Sequence, residues 1–139
     1  MLVRGRKLAG VLVEASLRGM RAESVIAGFG VNVRAASLPD GVAARAISLE
    51  DAGAAAPALD RGALLVDVLR ALGERLRAFE AGGLAPLLAD LRARDVTLGR
   101  RVEGDATSGV AGGIADDGRL RVETATGIVL VGAGEVRFV

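Results

Sequence analysis

Lys7 is the only lysine of the chain and Asn32 its only asparagine; every other cationic side chain is arginine, and Gln, His, Cys, Trp and Tyr are absent. Each lies in a glycine-punctuated apolar segment, Lys7-Leu8-Ala9-Gly10-Val11-Leu12-Val13-Glu14 and Gly28-Phe29-Gly30-Val31-Asn32-Val33. An ammonium kept where guanidinium is otherwise used suits a site that needs a compact point charge against an anion rather than a planar fork. On composition alone a solvated strand end accounts for Lys7 equally well, and a turn residue is the plainer account of Asn32. Without His or Cys the chain has no imidazole triad, thiol nucleophile, disulfide or Cys/His metal set. Its chemistry must therefore run on lysine, arginine, carboxylates, hydroxyls and backbone amides, and no metal ligands are assigned.

Two apolar, valine-rich runs, residues 8–15 and 25–33, carry these side chains. Joined by a polar connection containing Gly19, they predict an antiparallel strand pair. The runs are nearly continuous rather than alternating, so both faces are expected to be covered. Residues 35–57 read as a surface loop, with turn signals at Pro39-Asp40-Gly41 and Ala52-Gly53 and a single helical turn at Ser48-Leu49-Glu50-Asp51. Asp60 is placed to cap a helix in which Leu64, Leu65, Val68, Leu69, Leu72, Leu76 and Phe79 recur at helical spacing. Gly82-Gly83 ends it. Leu84, Leu87, Leu88 and Leu91 then mark a second short helix that tolerates Pro86 in its first turn. Both leucine stripes are expected to face a core. From Asp95 the pattern changes to short strands at 100–103, 109–114, 120–123, 128–131 and 135–138, with Asp116-Asp117-Gly118 and Thr126-Gly127 as hairpin turns. Such a run suits a small barrel, its core drawn from Leu98, Val102, Val110, Ile114 and Val122. The break near Asp95 divides the chain into domains 1–94 and 95–139.

At 139 residues the chain can form one modest core or two small ones. A net charge of +1 and an aromatic content of 2% leave neither the basic field nor the stacking platforms of general nucleic-acid binding. The apolar runs are broken well short of the roughly 18 to 20 residues of a membrane span. The stretch 8–13 ends at Glu14, too soon for a signal-peptide core. A soluble, cytoplasmic protein with no membrane partner is expected.

The two glycine-punctuated segments are similar to the paired motifs of bacterial biotin-protein ligases, the biotin-[acetyl-CoA-carboxylase] ligases. The resemblance continues in order through Ile47-Ser48-Leu49-Glu50-Asp51-Ala52-Gly53, the helix after Asp60-Arg61, and Phe79-Glu80-Ala81-Gly82-Gly83-Leu84. It extends to Leu98-Gly99-Arg100-Arg101-Val102 and Gly134-Glu135-Val136-Arg137. It implies an α+β fold: the C-terminal portion of a class II synthetase-like mixed sheet with helices over 1–94, followed by a small SH3-like β-barrel over 95–139.

The resemblance also implies a reaction. Biotin is activated with ATP, Mg2+ being expected with the nucleotide, to biotinyl-5'-adenylate, and a lysine of the biotin carrier protein of acetyl-CoA carboxylase then takes the biotinyl group. Both steps gather negative charge that a fixed cation stabilises; by resemblance that cation is Lys7, catalytic and biotin-binding. Gly10, Gly28 and Gly30 allow backbone to approach biotin closely. Val11 and Leu12 supply its apolar wall and backbone partners, and Asn32 stands on the adenine side, where an amide can both donate and accept. The family's Gly/Arg-rich loop and Trp-Pro-Asn-Asp segment are not in the sequence, nor is the DNA-binding domain of its repressor members. The chain is therefore expected to be a partial ligase, inactive alone, from a truncated gene product or a split enzyme. The alternative is a non-catalytic binding or assembly module that contacts a biotin carrier domain or a second ligase chain. A relative handling lipoate or octanoate would share the parent fold, but the barrel and the wording of residues 7–14 favour biotin. Unpaired sheet edges favour a homodimer.

Overall fold

The computed structural model describes residues 1–19, 21–37, 41–42, 44–104, 107–132, 134 and 136–139. By packing the chain divides into two compact units, Met1–Val68 and Leu69–Val139. Both contain helix and antiparallel sheet, and the division falls inside the long helix.

In the first unit, β1 (Leu2–Val3) and β2 (Arg6–Lys7) form a tight hairpin through Arg4 and Gly5, both at positive φ. The predicted strand pair follows as β3 (Ala9–Arg18) and β4 (Arg21–Val31), in register from Ala9↔Val31 to Arg18↔Arg21. Its expected burial does not follow. Val11, Leu12, Val13, Leu17, Val25 and Ile26 are all exposed, Leu12 by 65% and Ile26 by 66%. A continuous β-branched run marks surface fitted to be covered, but these side chains are left exposed.

The core lies at the hairpin's base, where Leu8, Ala9 and Ile47 pack with Val3, Val31, Leu49 and Ala52. Ile47 and Ser48 are fully buried, so residues 35–57 are not simply a surface loop. Their middle threads the unit. Lys7 pairs with Ala46 in a parallel bridge, donating its N–H to the Arg45 carbonyl at 2.8 Å and accepting from the Ile47 N–H at 3.0 Å. An alanine-rich passage conceals this because backbone pairing needs no side-chain signature. The turn after Ser48 forms as expected: Ser48 Oγ donates to Asp51 Oδ2 at 2.8 Å and accepts from the Asp51 N–H at 3.0 Å. Of the turn signal Pro39-Asp40-Gly41, only Gly41 lies among the described residues; its φ is 82°. Asp60 caps α1 (Arg61–Gly82), its Oδ1 accepting from the Ala63 N–H at 2.8 Å. No residue of α1 is buried, and Leu65, Leu69, Leu76 and Phe79 stay about half exposed. Leu64, Val68 and Leu72 of the leucine stripe are half-buried, short of the full burial expected of them.

In the second unit Gly83, at φ 62°, donates to the Phe79 carbonyl and closes α1. Next comes α2 (Ala85–Ala93), with Pro86 in its first turn and Leu88 buried. Five strands follow at their predicted places: β5 (Arg101–Gly104), β6 (Thr107–Ile114), β7 (Leu120–Thr124), β8 (Gly127–Val131) and β9 (Val136–Phe138). Glu135, expected in the last, lies outside the described residues. The sheet is antiparallel, in the order β8-β7-β6-β5-β9. Among the described residues no ladder joins β8 to β9, so the hydrogen bonding is that of a five-stranded sheet in which no closed barrel is detected.

Its core is Val102, Ala111 and Val122, with Leu120, Val131, Val136 and Phe138 packed against it. Leu98 and Val110, expected inside, are 61% and 37% exposed. Strand alternation explains Val110: it pairs with Glu123 and Arg101 on one face, while Ala111 pairs with Val122 on the other. Ile114 is half-buried beyond an irregularity in β6, where Gly113 takes φ 89° and bends the strand. At the β6–β7 turn the Arg119 side chain donates to the exposed Asp117 at 2.8 Å and holds that carboxyl below the usual carboxylate range. Among the described residues no helix is long and apolar enough to cross a membrane.

Candidate functional site

The register of the long hairpin sorts the candidate residues onto its two faces. Gly10 pairs with Gly30 and Leu12 with Gly28, so three glycines and Leu12 share one face. A Cβ at Gly30 would meet nothing within 4 Å, and one at Gly28 only the Leu12 carbonyl oxygen at 3.9 Å. These glycines therefore do not serve internal packing. They leave an open backbone floor.

Lys7 lies across the end of that floor. Its Cε and Nζ stand 3.6 and 3.8 Å from where a Gly10 Cβ would be, so the ammonium end of the side chain lies directly beside Gly10. Lys7 is exposed, and among the described residues no carboxylate pairs with it. Val11 is not brought to this face. It pairs with Phe29 on the opposite one, where Phe29, Val31 and Val33 look across a groove of about 160 Å³ at Arg61, Leu64, Leu65 and Val68. Only the backbone of Val11 can serve the glycine floor.

Asn32, immediately after β4, joins the same constellation. Its N–H donates to the Leu8 carbonyl at 3.0 Å, and its carbonyl accepts from the Leu49 N–H at 2.8 Å. The side-chain Nδ2 donates to the Lys7 carbonyl at 3.1 Å and the Ile47 carbonyl at 3.3 Å. Two carbonyl neighbours fix that atom as the amide nitrogen, which leaves Oδ1 as the acceptor.

A family model described as the biotin protein ligase C terminal domain matches residues 94–139. A biotin--[acetyl-CoA-carboxylase] ligase of Mycobacterium tuberculosis is 38% identical over 98% of this chain and 49% of its own length. By sequence, the chain matches the C-terminal portion of biotin protein ligases. The bifunctional ligase/repressor BirA of Escherichia coli is 33% identical over 88% of the chain and 39% of its own length. The solved biotin protein ligase from Aquifex aeolicus in complex with biotin and ATP superposes with a TM-score of 0.78, covering 99% of this chain and 58% of that one. At 24% identity, that likeness is one of fold. The chain spans about half the length of the curated relatives it matches.

In this portion of the biotin protein ligase pattern, Lys7 and Asn32 meet through main chain, which their separate motifs do not disclose. The third participant, Ile47, is absent from the site residues that the sequence suggests. The only sequence signal for it is the wording Ile47-Ser48-Leu49-Glu50-Asp51, which carries the resemblance but gives no hint of burial.

Proposed function

We propose that the chain forms one wall of the biotin- and ATP-binding site of a biotin protein ligase. The observation that supports this best is the glycine floor of Gly10, Gly28 and Gly30 with the Lys7 ammonium at its edge. Such a floor admits a flat ring system against main chain, and Leu12 adds a larger apolar side chain beside it. A biotin carboxylate oxygen attacks the α-phosphorus of ATP, pyrophosphate leaves, and biotinyl-5'-adenylate results. The carrier lysine's amine then attacks the acyl carbon, expels AMP and forms the amide. Lys7 binds the oxygens on which charge gathers in both steps. Asn32 Oδ1 accepts from the adenine amino group. Mg2+ is expected to enter with the ATP phosphates, as that ion commonly does.

Residues 95–139 are read as an SH3-like C-terminal domain that follows the catalytic portion, residues 1–94. The one-sided core, the bend at Gly113 and the family match over 94–139 support this. The acceptor is the biotin carrier protein of acetyl-CoA carboxylase, and the setting is the cytoplasm.

Two outcomes test the reading. The isolated chain is expected to release pyrophosphate in a biotin-dependent manner far more slowly than roughly 1 per second, because its glycine floor is open on the side where the phosphates must be enclosed. Ordinary enzymatic turnover by the chain alone would contradict the one-wall proposal. A complete ligase that carries this sequence yet fails to adenylate biotin would favour the assembly module instead. The exposed hairpin side chains also favour self-association. Light scattering at micromolar concentration should give a mass above that of the monomer, and a clean monomer counts against it.

A further inference from the structure

We infer that Asn32 is a positioning residue for Lys7: its side-chain amide fixes the main chain from which the catalytic ammonium projects. The inference rests on the ligase reading of Lys7 and adds to it a second task for Asn32, separate from the nucleotide. Lys7 has both of its main-chain polar groups engaged. Its N–H donates to the Arg45 carbonyl at 2.8 Å, and its carbonyl accepts from the Ile47 N–H at 3.0 Å and from Asn32 Nδ2 at 3.1 Å. The other Nδ2 proton goes to the Ile47 carbonyl at 3.3 Å. One planar NH2 thus staples two chain segments, 25 and 15 residues away in sequence, beside the fully buried Ile47.

The chemistry is specific to an amide. Two carbonyl oxygens demand two donors from one atom, which Asn supplies. Asp would set a carboxylate against both. Ala would leave the Ile47 carbonyl without this donor and the Lys7 carbonyl with only one. The exposed lysine side chain is then fixed only at its root and by the space over Gly10. A shift of that root moves the ammonium relative to the reacting phosphate, and a misplacement of about 1 Å can cost about 10²-fold in rate.

The test uses a complete ligase carrying this sequence, with biotin and ATP saturating, and compares Lys7→Ala, Asn32→Ala, Asn32→Asp and the Lys7→Ala/Asn32→Ala double variant. Asn32→Ala and Asn32→Asp are expected to lower kcat by about 10- to 100-fold, while Asn32→Ala costs little further once Lys7 is already Ala. Multiplicative losses in the double variant, or a rise in the KM for ATP with kcat unchanged, overturn the positioning role and leave the ligase reading standing. A fully active Lys7→Ala overturns both. Should the Asn32 variants fail to fold, the unaltered chain still decides the matter. With one Asn and no Gln it shows a single side-chain carboxamide NH2 pair by 15N NMR, expected to be protected from exchange; an unprotected pair overturns the inference.

Discussion

Lys7→Ala in a complete ligase carrying this sequence is expected to slow biotinyl-adenylate formation by about 10² to 10³, the usual cost of removing one preorganised charge-stabilising donor. Folding should be unaffected, since the side chain is exposed. Lys7→Arg should recover only a fraction of the rate, because a planar fork places its charge differently from a compact ammonium. Gly10 provides an independent check. Gly10→Ala puts a Cβ at ordinary contact distance, 3.6 Å, from Lys7 Cε, so the lysine need not move and any loss of activity comes from the methyl group standing on the proposed biotin floor. Gly10→Val carries two methyl groups into the space of the ammonium and should approach the loss of Lys7→Ala with the lysine still present. Pyrophosphate release reports the rate, and a thermal melt separates it from unfolding. Full activity of Lys7→Ala would return the lone lysine to the status of a solvated strand end.

What the sequence discloses about the site, and what it hides, follows from the range of each interaction. The hairpin is legible because pairing between β3 and β4 is local and its residues are β-formers throughout. The sorting onto faces is not, because Val11 and Leu12 are equally apolar and only the register separates them. In the second unit every strand is legible from turn residues and short apolar runs. Yet Val110 reads as core and Ala111 does not, since hydrophobicity outranks alternation when a strand is read one residue at a time. Burial of the hairpin and of α1 is over-read for a related reason. An apolar face announces that it can be covered without naming what covers it. The constellation at Lys7 is the least legible. Its decisive contacts are main-chain carbonyls of Lys7 and Ile47 meeting a side chain of Asn32, and a carbonyl has no signature in the sequence.

The largest stability effect is expected at Gly109. This buried residue of β6 pairs with Val102, and a Cβ there would run into the main-chain carbonyl of Glu123, with the carbonyl carbon only 2.9 Å and Val122 Cγ1 3.0 Å away. The obstacle is backbone, held by the β6–β7 and β7–β8 ladders, so neither a rotamer change nor a small side-chain shift relieves it. Val102 and Val122, both in the core of this sheet, would be disturbed together. Gly109→Ala is therefore expected to cost about 3 kcal/mol or more, at or beyond the upper end for overpacking a core. For a domain of this size that lowers Tm by roughly 10 °C or more. Gly112→Ala, three residues along the same strand, is the contrast. Its Cβ would first meet the Glu123 Oε1 atom at 3.3 Å, the end of a flexible exposed side chain that can turn aside, so a loss below about 1 kcal/mol is expected. Calorimetric or circular-dichroism melts of the two variants supply the comparison. Equal melting temperatures would mean that β6 and β7 do not approach as closely at Gly109 as the register requires. A large gap would locate a tight main-chain contact between β6 and β7 at Gly109, where a residue without a side chain avoids it.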